Sequence, residues 1–265
     1  MGDIKDIKCF VLDMDGTFYL GNNLIDGSLD FIKTINTQNK QFVFLTNNSS
    51  KNKYYYMKKL KNMGLNIEAE RVFTSGEATT IYLKNKKPGS KVFILGTELL
   101  KEEFIAAGFE LVNDRKTTPD FVVLGFDTTL TYEKLWIACD FIREGVEYVA
   151  THPDYNCPIE DLKVMPDIGA MIDFIYASTK IKPYIVGKPN KTIIEVLCSK
   201  YGYDKSQIAI VGDRLYTDIK TGSNADIVSI LVYSGETTKE DYKNSDIRAD
   251  YVYNSLKEIN EDLLH

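Results

Sequence analysis

Phe10-Val11-Leu12-Asp13-Met14-Asp15-Gly16-Thr17 is the stretch on which the reading of this chain turns. The apolar run from Ile7 to Leu12 is too short for anything but a buried strand, and it stops on two carboxylates separated by one residue. The two-residue period of a strand puts Asp13 and Asp15 on one side. An apolar strand that ends in acids beside an Asp-Gly turn sets those acids at the carboxyl edge of a sheet, where open α/β folds bind their ligands. Two carboxylates that close repel one another unless a cation or a proton relieves them. The pair therefore reads as half of a divalent-metal site with one acid left for chemistry. A strand followed by an ordinary acidic turn accounts for the same eight residues, so the rest of the chain must decide.

The 265 residues suffice for one large domain or two smaller ones, and 44% hydrophobic with 26% charged residues is a globular composition. A net charge of -6 argues against nucleic acid and anionic membrane as partners. No apolar run reaches membrane-spanning length. Asp6 spoils Met1-Gly2 as a myristoylation signal, and the apolar run after it is shorter than a signal-peptide core and ends in acids, so the cytoplasm is the expected compartment. Cys9, Cys139, Cys157 and Cys198 lie far apart with no Cys-x-x-Cys pair, which fits reduced, packed thiols better than disulfides or zinc. His152 and His265 are the only histidines, so any Ser-His-Asp or Cys-His catalyst would depend on His152 alone. Carboxylate, lysine and asparagine are what remains for chemistry.

Further along, the pattern repeats. Gly21 and Gly27 bracket a polar loop, and Leu29, Ile32 and Ile35 mark one face of a helix from Ser28 to Lys40. Gln41 to Leu45 is a second strand, ending in Thr46-Asn47-Asn48-Ser49-Ser50 ahead of a helix from Lys51 to Met63. A turn handing a strand to a helix N-terminus presents N–H groups and hydroxyls to an anion, phosphate above all, although simple capping by Asn or Ser explains it equally. Val72 to Ser75 is a third strand, followed by a helix through Leu83 and a charged loop, Lys84 to Ser90. From Lys91 a second strand-helix series begins, with strands at Val92 to Leu95, Phe121 to Leu124 and Tyr148 to Ala150. A loop from Thr151 to Asp167 precedes a helix near Ile168 to Ser178. Pro189 suits a first helical turn, which sets Lys188 just ahead of a helix running to Tyr201. Ile208 to Gly212 is another apolar strand ending on an acid, Asp213, with Asp218 five residues later as a helix opens. Ile227 to Tyr233 and Tyr251 to Tyr253 are the last strands expected.

Three apolar strands thus end in reactive polar groups, and in a parallel sheet all carboxyl ends share one edge, so groups distant in sequence can meet there. Asp13-Met14-Asp15-Gly16-Thr17, Leu45-Thr46-Asn47-Asn48-Ser49, Val186-Gly187-Lys188-Pro189 and Gly212-Asp213-Arg214-Leu215-Tyr216-Thr217-Asp218, in that order, resemble the four motifs of the haloacid dehalogenase superfamily of phosphohydrolases. The α/β insertion between the second and third motifs is similar to the large cap of its 4-nitrophenylphosphatase or NagD-like branch. The resemblance implies a Rossmann-like parallel-sheet α/β core made of residues 1–78 and 184–265, with a smaller α/β cap domain inserted at 79–183. Where that branch often carries Thr-Asn-Pro-Asp, this chain has Thr151-His152-Pro153-Asp154.

Chemistry and the resemblance together assign roles. Asp13 is the expected nucleophile and forms an aspartyl-phosphate; Asp15 is the general acid, then the base that activates water. Mg²⁺ is the expected cofactor, held by Asp13, by Asp15 through its backbone carbonyl as the resemblance implies, and by Asp213, with Asp218 behind them orienting metal waters or Lys188. Lys188 supplies positive charge to the phosphoryl oxygens, and Thr46, Asn47, Asn48 and Ser49 supply neutral donors. His152 and Asp154 are candidates for touching the substrate from the cap. The expected substrate is a small phosphorylated metabolite such as a sugar phosphate, with 4-nitrophenyl phosphate as an artificial one, and a homodimer through the cap stays open. A phosphotransferase or mutase on the same core, and a non-enzymatic receiver-like phosphate sensor, are the alternatives.

Overall fold

The computed structural model describes residues 4–158 and 163–265. Met1-Gly2, and the stretch 159–162 within the expected 151–167 loop, lie outside them. The chain divides into two compact units, one comprising Met1–Thr46, Lys53–Phe73 and Lys188–His265, the other Asn47–Asn52 and Thr74–Gly187.

In the first unit a six-stranded sheet runs in the order Tyr251–Tyr253, Val228–Val232, Ile208–Gly212, Cys9–Leu12, Gln41–Thr46, Val72–Thr74. Cys9–Leu12 pairs in parallel with Ile208–Val211 on one side and Gln41–Phe44 on the other. Every residue of Cys9–Leu12 and of Ile208–Gly212 is buried, as expected of parallel strands covered on both faces, and this explains why they read as unbroken apolar runs. Helix Ser28–Thr37 buries Phe31, Ile32 and Ile35, and Phe31 meets Phe10 edge to face at 5.3 Å. Behind it packs the C-terminal helix Leu256–Leu264.

The second unit holds a five-stranded sheet in the order Tyr184–Ile185, Glu147–Ala150, Phe121–Leu124, Lys91–Leu95, Glu110–Leu111, all neighbours parallel. Helix Tyr132–Arg143 is capped by Thr131, and helix Ile168–Thr179 by Asp167. Their inner faces join Phe93, Leu124 and Tyr148 in a core of this unit's own.

Several expected loops prove structured. The polar loop between Gly21 and Gly27 begins as a small hairpin, Tyr19–Leu20 against Asn23–Leu24. The stretch from Lys84 to Ser90 is loop only at its end, because Thr74 caps a helix that continues from Ser75 to Lys86 before the Pro88-Gly89 turn. Within the 151–167 loop, Asn156–Pro158 pairs antiparallel with Val164–Pro166. Pro189 is not in a first helical turn: the Lys188–Pro189 peptide is cis, and the helix opens only at Thr192, whose N–H is taken by the Asn190 side chain. Among the described residues no helix is long and apolar enough to cross a membrane.

Candidate active site

Successive strands are laid down on both sides of Cys9–Leu12, so the sheet of the first unit reverses its order there. Such a switch point opens a crevice at the carboxyl ends of the strands. Asp13 and Asp213 each follow directly on a strand at that edge, and Thr46 ends the strand between Asp13's own and Val72–Thr74, its side chain buried.

Lys188 joins the two ends of the cluster. Its Nζ donates to Asp13 Oδ1 and to Asp218 Oδ1, each at 2.5 Å, and its side chain is only 3% exposed. Asp218 arrives on a wide π-type turn, Leu215–Ile219, a form that recurs at functional sites. Its Oδ2 accepts the Arg214 N–H at 3.2 Å. A Cβ at Gly212 would lie 2.2 Å from the Asp218 carboxyl carbon, so only glycine lets this acid lie over the strand end.

Asp213 Oδ2 accepts the Glu236 N–H at 2.7 Å, and Thr17 donates to its Oδ1 at 3.4 Å. Two glycines make room for it. A Cβ at Gly16, where φ is +87°, would fall 2.4 Å from Asp213 Oδ2, and one at Gly235 would fall 2.0 Å away. Ser234 ties the loops together by donating to Gly16 O at 2.8 Å. This 234–236 loop was missed from sequence, although it too is a polar segment at the carboxyl end of a strand.

Asp13, Asp213 and Asp218 each offer an oxygen within 4.8 Å of the others'. Burial pushes the carboxyls of Asp13 and Asp213 up, the latter to about 7, while Lys188 pulls against the shift at Asp13 and the Glu236 N–H at Asp213. Burial works against the Lys188 charge as well, but Asp13 and Asp218 outweigh it and its pKa rises. Three carboxylates, Asp213 and Asp218 buried and Asp13 partly so, outnumber the Lys188 ammonium and the nearby Arg214 guanidinium, and clustered hard oxygens are the donors that magnesium and calcium take. The residues fit a divalent cation.

Asp15 stands outside this group, open to solvent yet crowded by protein. Crowding raises its carboxyl pKa, and Lys59 and Arg214 hold the rise back. Lys59 also lies over the Tyr19 ring at 4.0 Å, and Arg214 pairs with Glu236 at 2.9 Å; neither cation was singled out from sequence.

The remaining sequence-predicted residues gather in the second unit. Asn47 Nδ2 donates to Asp154 Oδ2 and Oδ1 at 3.1 and 3.3 Å. His152 is fully buried, with Nδ1 3.4 Å from Asp154 Oδ2 and Nε2 3.7 Å from Asp167 Oδ1. Asn48 Oδ1 accepts from the backbone and hydroxyl of Ser50, at 3.0 and 2.7 Å. Ser49 Oγ is 2.8 Å from Thr151 Oγ1 and accepts the Phe126 N–H at 2.9 Å. Asp167 was not foreseen as a partner of His152, because the expected helix start shows a capping acid but not which side chain faces its other side.

Comparison with known proteins bears on what these groups do. Residues 10–110 match the family model of the haloacid dehalogenase-like hydrolases, and residues 185–259 match a second, HAD-hydrolase-like model. The acid sugar phosphatase of Staphylococcus saprophyticus is 35% identical over 260 residues, covering 98% of this chain and 99% of that protein. The crystal structure of 4-nitrophenylphosphatase from Thermotoga maritima superposes with a TM-score of 0.93 at 48% identity, covering 98% of both chains. A glycerol phosphate phosphatase from Mycobacterium tuberculosis, solved in complex with magnesium, gives a TM-score of 0.90 at 28% identity over 99% of this chain and 78% of that one.

Proposed function

The chain belongs to the haloacid dehalogenase-like hydrolases and is a phosphatase of that family, and on this premise we propose that it hydrolyses small phosphate monoesters, sugar phosphates foremost, through an aspartyl-phosphate and with Mg²⁺. The observation that carries the reading is the buried cluster in which Lys188 Nζ lies 2.5 Å from both Asp13 and Asp218, with Asp213 beside them.

Asp13 attacks phosphorus in line with the leaving oxygen, and its carboxylate oxygen forms the new bond. Asp15 is assigned to giving a proton to the departing alkoxide, which its raised pKa favours; the same carboxylate then takes a proton from the water that opens the aspartyl-phosphate. Lys188 remains charged and offsets the negative charge on the phosphoryl oxygens, while keeping Asp13 in place. Asp13 and Asp213, with the Asp15 carbonyl, are assigned to Mg²⁺, which when bound neutralises the phosphoryl group against the attacking carboxylate. Asp218 is assigned to orienting Lys188. Thr46, Asn47 and Asn48 are the assigned phosphoryl donors, and Ser49 is assigned to shaping their turn through Thr151 and Phe126. Selection of the leaving group is assigned to the second unit. Spontaneous hydrolysis of such esters is so slow that on the order of 20 kcal/mol of barrier lowering is required, which positioning and charge must share.

Release of inorganic phosphate from 4-nitrophenyl phosphate and from a panel of sugar phosphates, with Mg²⁺ and with EDTA, tests the reading. The wild-type protein should turn over only with the cation, reversibly, and Asp13→Asn should be inactive. Ordinary turnover by Asp13→Asn would sink it.

A further inference from the structure

Asp154 was a candidate for touching the substrate, but its surroundings point elsewhere. A carboxylate has acceptors only and repels a phosphoryl group, so it cannot bind that group directly. Both of its oxygens already receive the Asn47 amide, at 3.1 and 3.3 Å, and only the amide nitrogen can donate there, which fixes which way the carboxamide faces. On its other side Asn47 is hemmed in by the chain at Gly187, where a Cβ would lie 2.8 Å from Asn47 Oδ1 and 2.3 Å from Thr151 O.

Asp154 is itself held. The Asp154 N–H donates to His152 Nδ1 at 3.4 Å, and its carboxylate Oδ2 lies 3.4 Å from the same nitrogen. The opposite ring nitrogen faces Asp167 Oδ1 at 3.7 Å, and that oxygen also accepts the Ile168 N–H at 2.7 Å as the cap of helix Ile168–Thr179. The Gly169 N–H, in the first turn of that helix, returns to Asp154 O at 2.8 Å. A ring that is fully buried between two carboxylates has no freedom to turn.

We propose that Asp154, braced by His152 and Asp167, is a positioning residue that acts through Asn47: it sets the carboxamide so that an N–H is offered to a phosphoryl oxygen, and the leaving group is not what it reads. The inference rests on the assignment of Asn47 as a phosphoryl donor. Inorganic phosphate separates the two roles, because it carries no leaving group.

The test measures KM and kcat for 4-nitrophenyl phosphate and the inhibition constant of inorganic phosphate for the full chain, in wild type, Asp154→Ala, Asn47→Ala and the double variant. Loss of a positioned hydrogen bond should raise the phosphate inhibition constant and KM together by about tenfold in Asp154→Ala, with a smaller change in kcat. In the Asn47→Ala background the same substitution should add nothing, the signature of two residues acting as one. Asp154→Asn, which keeps an acceptor for Asn47, and His152→Asn, whose amide oxygen can still accept the Asp154 N–H, should recover most of the phosphate affinity. An unchanged phosphate constant in Asp154→Ala, or equal losses in both backgrounds, overturns the inference while wild-type turnover still stands. Absence of phosphate release by the wild type with every ester and Mg²⁺ would instead overturn the assignment beneath it.

Discussion

Lys188 shows most plainly how one residue carries this architecture. Its ammonium is the partner of two carboxylates, Asp218 fully buried and Asp13 largely so, and removing it takes away the one side-chain cation that touches both. Lys188→Met should therefore cost about 3 to 5 kcal/mol of stability, as breaking a buried pair does, and lower kcat by at least about a hundredfold. Urea unfolding and steady-state kinetics check the two losses; full stability at neutral pH would mean that Asp13 and Asp218 do not depend on the ammonium. At this scale sequence exposed the reactive groups but not their supports. Asp13, Asp213 and Lys188 stand out because an apolar strand end or a Gly-Lys-Pro turn frames them. Gly16 reads as the glycine of a turn, yet its stricter reason is the Asp213 carboxylate, distant in the chain and 2.4 Å from where a Cβ would sit. The partnership of His152 with Asp167 was hidden in the same way, since nothing local announces a contact made through a helix cap.

Elements were legible where burial dictates composition. The parallel strands Cys9–Leu12, Phe121–Leu124 and Ile208–Gly212 are buried at every residue, so hydrophobicity alone marks them. The hairpin Asn156–Pro158 with Val164–Pro166 has no buried residue in either strand, so its sequence bears no strand signal and its prolines suggest a loop. Helix starts are fixed by caps, and a cap is a hydrogen bond that sequence only permits. Thr74 takes the Glu77 N–H and Thr131 the Lys134 N–H, at 2.9 and 3.2 Å. Thr131 belongs to neither cluster of polar residues, so Thr131→Ala isolates the worth of a cap. It should lower stability by about 1 kcal/mol and leave turnover of 4-nitrophenyl phosphate as it was, which thermal unfolding beside a rate assay would reveal.

For the molecule as a whole, the proposed cation site at the acidic cluster ties folding to pH. Asp213 has its pKa raised by burial to about 7, from an ordinary value near 4, so the cation-free fold binds a proton that the unfolded chain gives up. The stability this contributes is complete below pH 4 and is lost as pH rises through 7, where the buried carboxylate is forced to ionise. A divalent cation needs the ionised form, so its binding opposes that loss and releases protons. Mg²⁺ at a hundred times its dissociation constant should add about 2.7 kcal/mol to the unfolding free energy at pH 8, and much less at pH 5.5, where the proton competes. Melting temperatures measured with Mg²⁺ and with EDTA at both pH values give the comparison directly. Asp213→Asn should lose the Mg²⁺-dependent shift at pH 8 and make the EDTA profile less steep between pH 5 and 8, because the amide is neutral throughout while Asp13, also pushed up by burial, still titrates there. A Mg²⁺ shift of equal size at both pH values, or one that survives in Asp213→Asn, would place the cation away from the Asp213 carboxylate that the two glycines make room for.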